Sequence, residues 1–463
     1  MGAASDEGND RRFAAYAQEL AGSFGHADRE EPMREYCLGL LMPLDRKSVE
    51  PMAAVLAPSE AAAKHQSMLH FVGNAPWSDA AVLAKVRAMV LPQIERSGPI
   101  EAWIIDDTGF PKKGIHSVGV ARQYCGQLGK QDNCQVAVSL SIANHAASLP
   151  IAYQLYLPED WAGDVERRRK AKVPDHVTFK TKPQIALDQI EEALATGVSK
   201  GVVLADAGYG NDMKFRTGVT ALGLTYVAGI GPATTVWGPG TGPLPPPEYS
   251  GRGQPARRLR RDAEYQPLAV KALAQSLQPE AWQTIAWREA TSDWLSSRFA
   301  RLRVRPAHRD HLRTEPWPEE WLIIEWPEDE EEPTKYWLST LPADIAFNVL
   351  VDTAKLRWRI ERDYQELKQE LGLGHYEGRG WRGFHHHATL CIAAYGFLIS
   401  ERSAFPPSGS ASSTLFPKPA VPIGYKPRGS ANKAGTTYSE LDRDDAQETR
   451  RRRHHRTTTM SML

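Results

Sequence analysis

The chain is organised around one charged segment, Leu356-Arg357-Trp358-Arg359-Ile360-Glu361-Arg362-Asp363-Tyr364-Gln365-Glu366-Leu367-Lys368. Its apolar residues recur at helical spacing. At about 100° per residue, Arg357, Glu361 and Lys368 fall within about 40° of one another. An apolar stripe lies roughly 100° to one side of them and consists of Ile360, Tyr364, Leu367 and Leu371. The pattern predicts a helix over 356–371, with Glu361 at the border of its buried face.

The other acids of this helix are predicted to lie on its far side, facing water: Asp363, Glu366 and Glu370. Two interpretations of Glu361 are open at this point. An Arg357–Glu361 ion pair, four residues apart, is common on ordinary amphipathic helices and contributes only about 0.3–0.5 kcal/mol. Alternatively, Glu361 belongs to a functional site.

Two short apolar runs elsewhere in the chain end abruptly on carboxylates. Residues 100–105 lead into Asp106 and Asp107, and residues 201–205 lead into Asp206. A buried strand that emerges at the edge of a sheet has this pattern. The carboxylates are therefore expected at the ends of two strands.

The order of the predicted elements defines a fold class. Three antiparallel strands precede alternating helices and strands, which indicates an α/β layer with a mixed sheet. A right-handed crossover then places the Asp206 strand beside the Asp106 strand, running the same way. This order is found in ribonuclease-H-like folds. We predict a ribonuclease-H-like mixed sheet with an inserted β-rich subdomain and an N-terminal helical domain. The predicted boundaries are 1–97 (helical, a candidate for DNA binding), 98–231 (first part of the core), 232–345 (β-rich insertion), 346–404 (C-terminal core helices) and 405–463 (disordered basic tail).

Composition and charge exclude several classes of protein. The 463 residues suffice for two or three domains. Lys and Arg total 56, as do Asp and Glu, which excludes a uniformly basic coat but not clustered basic faces. No apolar run approaches the roughly 18 residues of a membrane helix, and a signal-peptide core is absent from the first residues. The four cysteines form no CxxC pair, so no disulfide framework or zinc ribbon is suggested. A cytoplasmic protein without a membrane partner is expected.

Two further patterns have more than one interpretation. Four arginines alternate with apolar residues in a predicted strand and form either a phosphate-binding face or an ordinary exposed face: Arg298, Arg301, Arg303 and Arg305. Three consecutive histidines, His385, His386 and His387, cannot share one helix face. We predict that they are mostly polar cap and surface residues rather than a metal cluster.

The candidate catalytic and metal-binding residues are Asp106, Asp206 and Glu361. Clustered carboxylates repel unless a hard divalent cation lies among them, and oxygen ligands suit Mg²⁺ or Mn²⁺. Two such ions about 4 Å apart activate a water or hydroxyl and stabilise the leaving oxygen of a phosphodiester. Four candidate DNA-binding cations suit a polyanionic substrate: Arg357, Lys368, Lys112 and Lys113.

These motifs together resemble DDE-type bacterial insertion-sequence transposases, in the branch marked by the signature Tyr-x2-Arg-x3-Glu-x6-Lys. Arg357, Glu361 and Lys368 match its spacing, whereas Ala354 replaces its tyrosine. Residues 105–108 (Ile-Asp-Asp-Thr) resemble the first aspartate motif and residues 203–210 the second. The resemblance covers roughly 70–400 and includes the β-rich insertion.

The resemblance implies an enzyme that cuts double-stranded DNA at the ends of its element and joins the freed 3′ ends to target DNA. Such enzymes usually act as dimers. Asp106, Asp206 and Glu361 would hold two Mg²⁺ or Mn²⁺ ions, with Asp107 as the alternative first ligand. Arg357 and Lys368 would contact the DNA backbone. A tryptophan of the insertion stacks on a flipped base in relatives, and the candidates here are Trp287, Trp294 and Trp326.

Two competing functions remain at the level of sequence. A transposase-derived DNA-binding protein without catalysis would explain Ala354, although all three acids are present. A metal-dependent nuclease would cut DNA without joining it. Cutting and joining in Mg²⁺ distinguish these functions.

Overall fold

The structure is a computed structural model that describes residues 2–249, 251–288 and 294–405. The chain divides into two compact units, 1–419 and 420–463, of which the second lies outside the described residues. The predicted disordered basic tail likewise lies outside them, apart from residue 405. The predicted domain boundaries remain a prediction.

Five α-helices open the described part of the chain. They are α1 (Gly2–Ala21), α2 (Glu30–Leu41), α3 (Val49–Leu56), α4 (Ala61–Gly73) and α5 (Asp79–Arg96). The start of α5 is determined by Ser78, whose hydroxyl accepts a hydrogen bond from the Ala81 amide.

A mixed sheet follows, with helices between its strands. The elements are β1 (Ala102–Pro111), β2 (Ala121–Cys125), β3 (Lys130–Ala143), β4 (Ser148–Leu155), α6 (Glu159–Ala162), α7 (Val165–Ala171), α8 (Lys182–Ala195), β5 (Val202–Ala205), α9 (Ala207–Gly210), α10 (Met213–Ala221) and β6 (Tyr226–Ile230). Strand β1 pairs antiparallel with β3 and parallel with β5, which in turn pairs parallel with β6. The predicted mixed α/β sheet and the parallel neighbours are confirmed.

The β-rich part of the chain extends the same sheet. Its elements are β7 (Thr235–Trp237), β8 (Leu268–Ala269), α11 (Val270–Gln275), β9 (Gln283–Arg288), β10 (Trp294–Pro306), β11 (Glu320–Trp326) and β12 (Lys335–Ser339). The described strands follow the order β2-β3-β1-β5-β6-β12-β11-β10-β7-β8, with β4 on β3 and β9 on β10. The antiparallel pair of β12 with β6 makes the two halves continuous.

The organising segment is not one straight helix. It follows α12 (Phe347–Lys355) and consists of a turn at residues 356–357, α13 (Trp358–Gln365) and a π-helical turn (Glu366–Glu370); α14 (Trp381–Ala404) comes next. The predicted helix over 356–371 is wrong in this respect. Arg359 and Ile360 bond to carbonyls only three residues back, those of Leu356 and Arg357, so the chain turns between α12 and α13.

The three histidines are buried in α14, so their predicted surface position is wrong. His386 stacks on Trp77 with ring centroids 3.4 Å apart, and His387 bonds to the Tyr36 hydroxyl at 2.9 Å. Burial lowers the pKa of both imidazoles to about 4, so they are neutral core residues at pH 7. Their hydrogen bonds join α14 to the N-terminal helices.

Candidate active site beside two parallel strands

Asp106 and Asp206 follow the point at which the parallel pairing of β1 with β5 ends. The last parallel pair of β1 and β5 is Ile105 with Ala205. Each aspartate is the next residue along the chain, Asp106 within β1 and Asp206 directly after β5. Strand β5 ends there, whereas β1 continues to Pro111 in its pairing with β3, so the prediction that the first strand ends on its carboxylates is wrong. The predicted adjacency of the two strands, and of their carboxylates, follows from this register.

Alternation along β1 determines the face on which each acid lies. Ala102 and Ile104 belong to the apolar cluster that includes α12 and α13, whereas Trp103 and Ile105 belong to the cluster on the other face. Asp106 therefore continues on the face of α13, and Asp107 on the face of α8.

Arg357, at the N-terminal end of α13, contacts all three predicted acids. Its Nη2 lies 3.1 Å from Asp106 Oδ2 and 4.0 Å from Asp206 Oδ2, and its Nη1 lies 3.4 Å from Glu361 Oε1. The side chains differ in exposure, from 13% for Asp106 to 71% for Glu361. The three carboxylates, far apart in sequence, thus share one guanidinium group.

The charges at this edge are strongly coupled. Burial, opposed by Arg357 and reinforced by Asp206 and Asp107, raises the pKa of Asp106 from 3.8 to about 7. Burial also acts to lower the pKa of Arg357, but the carboxylates, Asp106 first, outweigh it and raise that pKa. Ionised Asp106 consequently depends on a nearby cation.

Asp206 is held by the short helix that follows it. Its Oδ1 accepts hydrogen bonds from the amides of Gly208 at 2.9 Å and Tyr209 at 3.4 Å, as the N-cap of α9. Helix α9 packs so closely on β6 that a Cβ at Gly210 would overlap the carbonyl oxygen of Gly229. This close packing leaves Asp206 Oδ2 on the side of Arg357.

Two partners of Asp107 were not found from the sequence. Lys182 Nζ lies 2.7 Å from Asp107 Oδ2, and the Tyr209 hydroxyl donates to the same oxygen at 3.3 Å. Proline near the first turn of α8 marks a helix start, but no sequence signal shows that this start lies beside β1. Lys182 is a functional candidate that only the tertiary structure reveals.

The predicted DNA-binding lysines take different positions. Lys368 donates to the Gly109 carbonyl at 2.8 Å, and burial lowers its pKa to about 8. Lys112 donates to the Tyr376 carbonyl at 3.0 Å, and burial lowers its pKa too. Lys113 is exposed. Lys368 thus binds the strand that carries Asp106, while Lys113 lies at the surface.

The acids of α13 are distributed differently from the prediction. Asp363 and Glu366 are buried, at 0% and 4% exposure, whereas Glu361 is exposed. The prediction that Asp363 and Glu366 face water is wrong because both have partners in distant elements. Asp363 accepts hydrogen bonds from Ser148 and Tyr395, and Glu366 pairs with Arg362 and Arg402.

The predicted arginine strand and tryptophans take part in internal contacts. Arg301 donates to the Ile345 carbonyl at 2.7 Å, and Arg298 lies 4.6 Å from the ring centroid of Trp326. Trp287 is 6% exposed. The side chain of Trp294 lies outside the described residues. The phosphate-binding face of the arginines and the base-stacking role of a tryptophan both stay predictions.

Asp106 and Asp206 offer carboxylate oxygens, the ligand type that a hard divalent cation prefers, and both carboxylates approach one cationic nitrogen. Within the described ranges, no three His, Cys, Asp or Glu side chains are grouped closely enough to hold a metal ion. Arg357 lies where the carboxylates converge. Asp106 and Asp206 are therefore the first candidate ligands.

A ribonuclease-H-like sheet with two aspartates where the pairing of two parallel strands ends defines a class of phosphodiester-cleaving enzymes, and the comparisons agree. The chain belongs to the DDE superfamily of endonucleases, whose family model matches residues 19–293. The match includes Asp106 and Asp206 and ends before Glu361. The resemblance to DDE-type insertion-sequence transposases is thereby confirmed.

One curated relative shows which kind of DDE protein the chain is similar to. The chain is 30% identical over 218 residues to a probable transposase for insertion sequence element IS701 of Microchaete diplosiphon. The aligned part is 46% of this chain and 52% of the relative, so the chain spans about half the length of this curated relative. Among the described helices, none has the length and apolar character needed to cross a bilayer.

Proposed function

We propose that this protein is a metal-dependent DNA transposase that cuts phosphodiester bonds at insertion-element ends and joins the 3′ ends to target DNA. The observation that carries the proposal is the convergence of Asp106, Asp206 and Glu361 on the Arg357 guanidinium group. Membership of the DDE endonuclease superfamily supports it.

Asp106, Asp206 and Glu361 would hold Mg²⁺ or Mn²⁺, two ions in the proposed form. When bound, such ions lower the pKa of a water or 3′-hydroxyl and stabilise the leaving oxygen of a phosphodiester. The protein supplies the rigid position of Asp106 in β1 and of Asp206 at the N-terminus of α9. Glu361, more exposed, completes the set from α13.

The cations next to the acids would bind the DNA backbone. Arg357 has a planar group that suits a phosphate as well as a carboxylate. Lys368 and Lys112, which lie at the end of β1, and the exposed Lys113 would add further phosphate contacts. Double-stranded DNA, both element ends and target, is the proposed partner, bound by a homodimer.

A cutting-and-joining assay tests the proposal. The substrate is linear DNA carrying the inverted repeats that flank the coding sequence, incubated with a target plasmid and Mg²⁺. We expect cutting and joining, both lost in excess EDTA and restored by Mn²⁺. Glu361→Gln should lower the cutting rate more than about 100-fold, since even outer-shell partners of metal ligands are worth 10- to 100-fold. Glu370→Gln, a change of an exposed acid in the following π turn, is the matched control.

Other results would favour the alternatives. Cutting of any DNA without joining indicates a nuclease, and tight binding without Mg²⁺-dependent cutting indicates a DNA-binding protein derived from a transposase. The mass of the complex with end DNA, measured by light scattering, tests the homodimer.

A further inference from the structure

A lysine ammonium group is buried just before the arginine that contacts the acids. Lys355 is the last residue of α12 and is only 9% exposed. Its Nζ lies 2.7 and 2.8 Å from the two carboxylate oxygens of Glu325, itself 3% exposed. The ring centroid of Trp287 lies 4.1 Å from the same nitrogen.

Four neighbouring strands each contribute one described side chain around this nitrogen. We call them the ammonium cage: Trp287 of β9, Phe299 of β10, Glu325 of β11 and Trp337 of β12. Phe299 pairs directly with Glu325 across β10 and β11. The Phe299 and Trp337 centroids lie 5.5 and 5.8 Å from Nζ. Three aromatic faces and a carboxylate are the features by which proteins recognise alkylammonium groups.

A buried ion pair is a costly way to fill this space. Removing both charges from water offsets much of their attraction, and apolar side chains of similar volume are often as stabilising. An ion pair does, however, determine position, because its attraction is lost when the partners shift. The ammonium cage therefore holds the end of α12 in one place relative to four strands.

We propose that Lys355 is a positioning residue, which locks the end of α12 into the ammonium cage and so sets the position of Arg357 beside the acids. A single residue, the buried Leu356, separates Lys355 from Arg357. The Leu356 amide bonds to the Asp352 carbonyl at 2.9 Å, so the connection is part of the helical turn. Through Lys355, the strands of the β-rich part thereby determine where Arg357 lies relative to the acids. The link to cutting rests on the proposed function, whereas the link to the position of α13 does not.

Hydrogen exchange of the full chain, read by mass spectrometry, tests the lock without requiring activity. In Lys355→Met, amides of 356–365 should exchange at least about tenfold faster, while those of β3 and α14 keep their wild-type rates. Lys335→Met is the matched control, since Lys335 lies 3.9 Å from Glu325 but is 61% exposed. It should leave all rates unchanged. Wild-type exchange over 356–365 in a folded Lys355→Met protein would overturn the proposal.

A double variant separates positioning from general stability. Lys355→Met with Glu325→Gln leaves no unpaired charge, so its urea midpoint should return towards the wild-type value. Exchange over 356–365 should nevertheless stay fast. If the double variant recovers both quantities, charge neutrality alone explains the lysine and the positioning role is wrong.

The rate of DNA cutting and the affinity for end DNA provide a third test of the positioning role. Lys355→Met should lower the single-turnover rate of cutting at least about tenfold while the Kd for end DNA changes less than about twofold. Equal losses in rate and affinity would contradict positioning. A wild-type protein that binds and cuts no DNA refutes the proposed function, and the exchange experiment then still decides the lock.

Discussion

Replacing Asp363 by asparagine should stabilise the protein at neutral pH. Asp363 lies two residues after Glu361 and is fully buried. Its Oδ1 accepts hydrogen bonds from the Ser148 hydroxyl at 2.5 Å and the Tyr395 hydroxyl at 2.9 Å. Among the described residues, its Oδ2 has no hydrogen-bond partner. An amide keeps the accepting oxygen and carries no charge into the interior.

The magnitude follows from the pKa of this carboxyl. Burial, only partly opposed by the two hydroxyl groups, raises the pKa of Asp363 from 3.8 to about 6. The folded protein therefore keeps a proton that the unfolded chain loses, and stability falls as pH rises from about 4 to about 6. A shift of about two pKa units corresponds to about 3 kcal/mol. Above pH 6 the wild-type protein carries this whole cost, and Asp363→Asn does not.

Urea unfolding at intervals from pH 4 to pH 8 measures the effect. The two proteins should be similar near pH 4, and the variant should become more stable by up to about 3 kcal/mol above pH 6. Asp329→Asn, a change of an exposed aspartate in a loop, is the control and should show no such divergence. A difference between wild type and Asp363→Asn that stays constant with pH would refute the reasoning.

Three further predictions concern the candidate site. Gly210→Ala places a methyl group against the Gly229 carbonyl oxygen and should destabilise the fold by about 1–3 kcal/mol, visible as a lower urea midpoint at unchanged slope. Lys113→Gln should weaken DNA binding on all sequences and reduce the salt slope by about 1 in fluorescence anisotropy; an unchanged slope would remove Lys113 from the interface. Arg357→Gln should tighten Mn²⁺ binding by the DNA-free protein at least about fivefold in calorimetry. Unchanged binding would show that Mn²⁺ and the guanidinium group do not compete for Asp106 and Asp206.

The part of the site that follows from local rules could be predicted. An apolar run before a carboxylate indicates a buried strand, and the handedness of crossovers makes the Asp106 and Asp206 strands parallel neighbours. The strand before Asp206 ends as predicted, whereas β1 continues past Asp106 to Pro111. The spacing of Arg357 and Glu361 places them within reach on one helix face. Each of these inferences needs only chain order and periodicity, and the register of β1 with β5 agrees with them.

The other contacts of the site and core depend on partners from distant elements, which no sequence pattern predicts. Asp363 looks like a solvent-facing acid by helical period, yet hydroxyl groups from β4 and α14 are aimed at it. Lys182 reaches Asp107 because α8 starts beside β1, a packing contact across 75 residues of sequence. His386 similarly looks polar until Trp77 covers its ring. Helical periodicity therefore predicts solvent exposure wrongly for polar residues whose hydrogen bonds come from a distant element.

Those same partners support the choice of the third acid. Of the acids in α13 and the π turn after it, Asp363 and Glu366 are neutralised or hydrogen-bonded inside the protein and are not available to an ion at the sheet edge. Glu370 lies at the end of the π turn, nine residues beyond Glu361. Glu361 remains, and its carboxylate contacts the guanidinium group that also contacts Asp106. The burial that contradicts the helical-wheel prediction thus favours Glu361 as the proposed ligand, by removing its competitors.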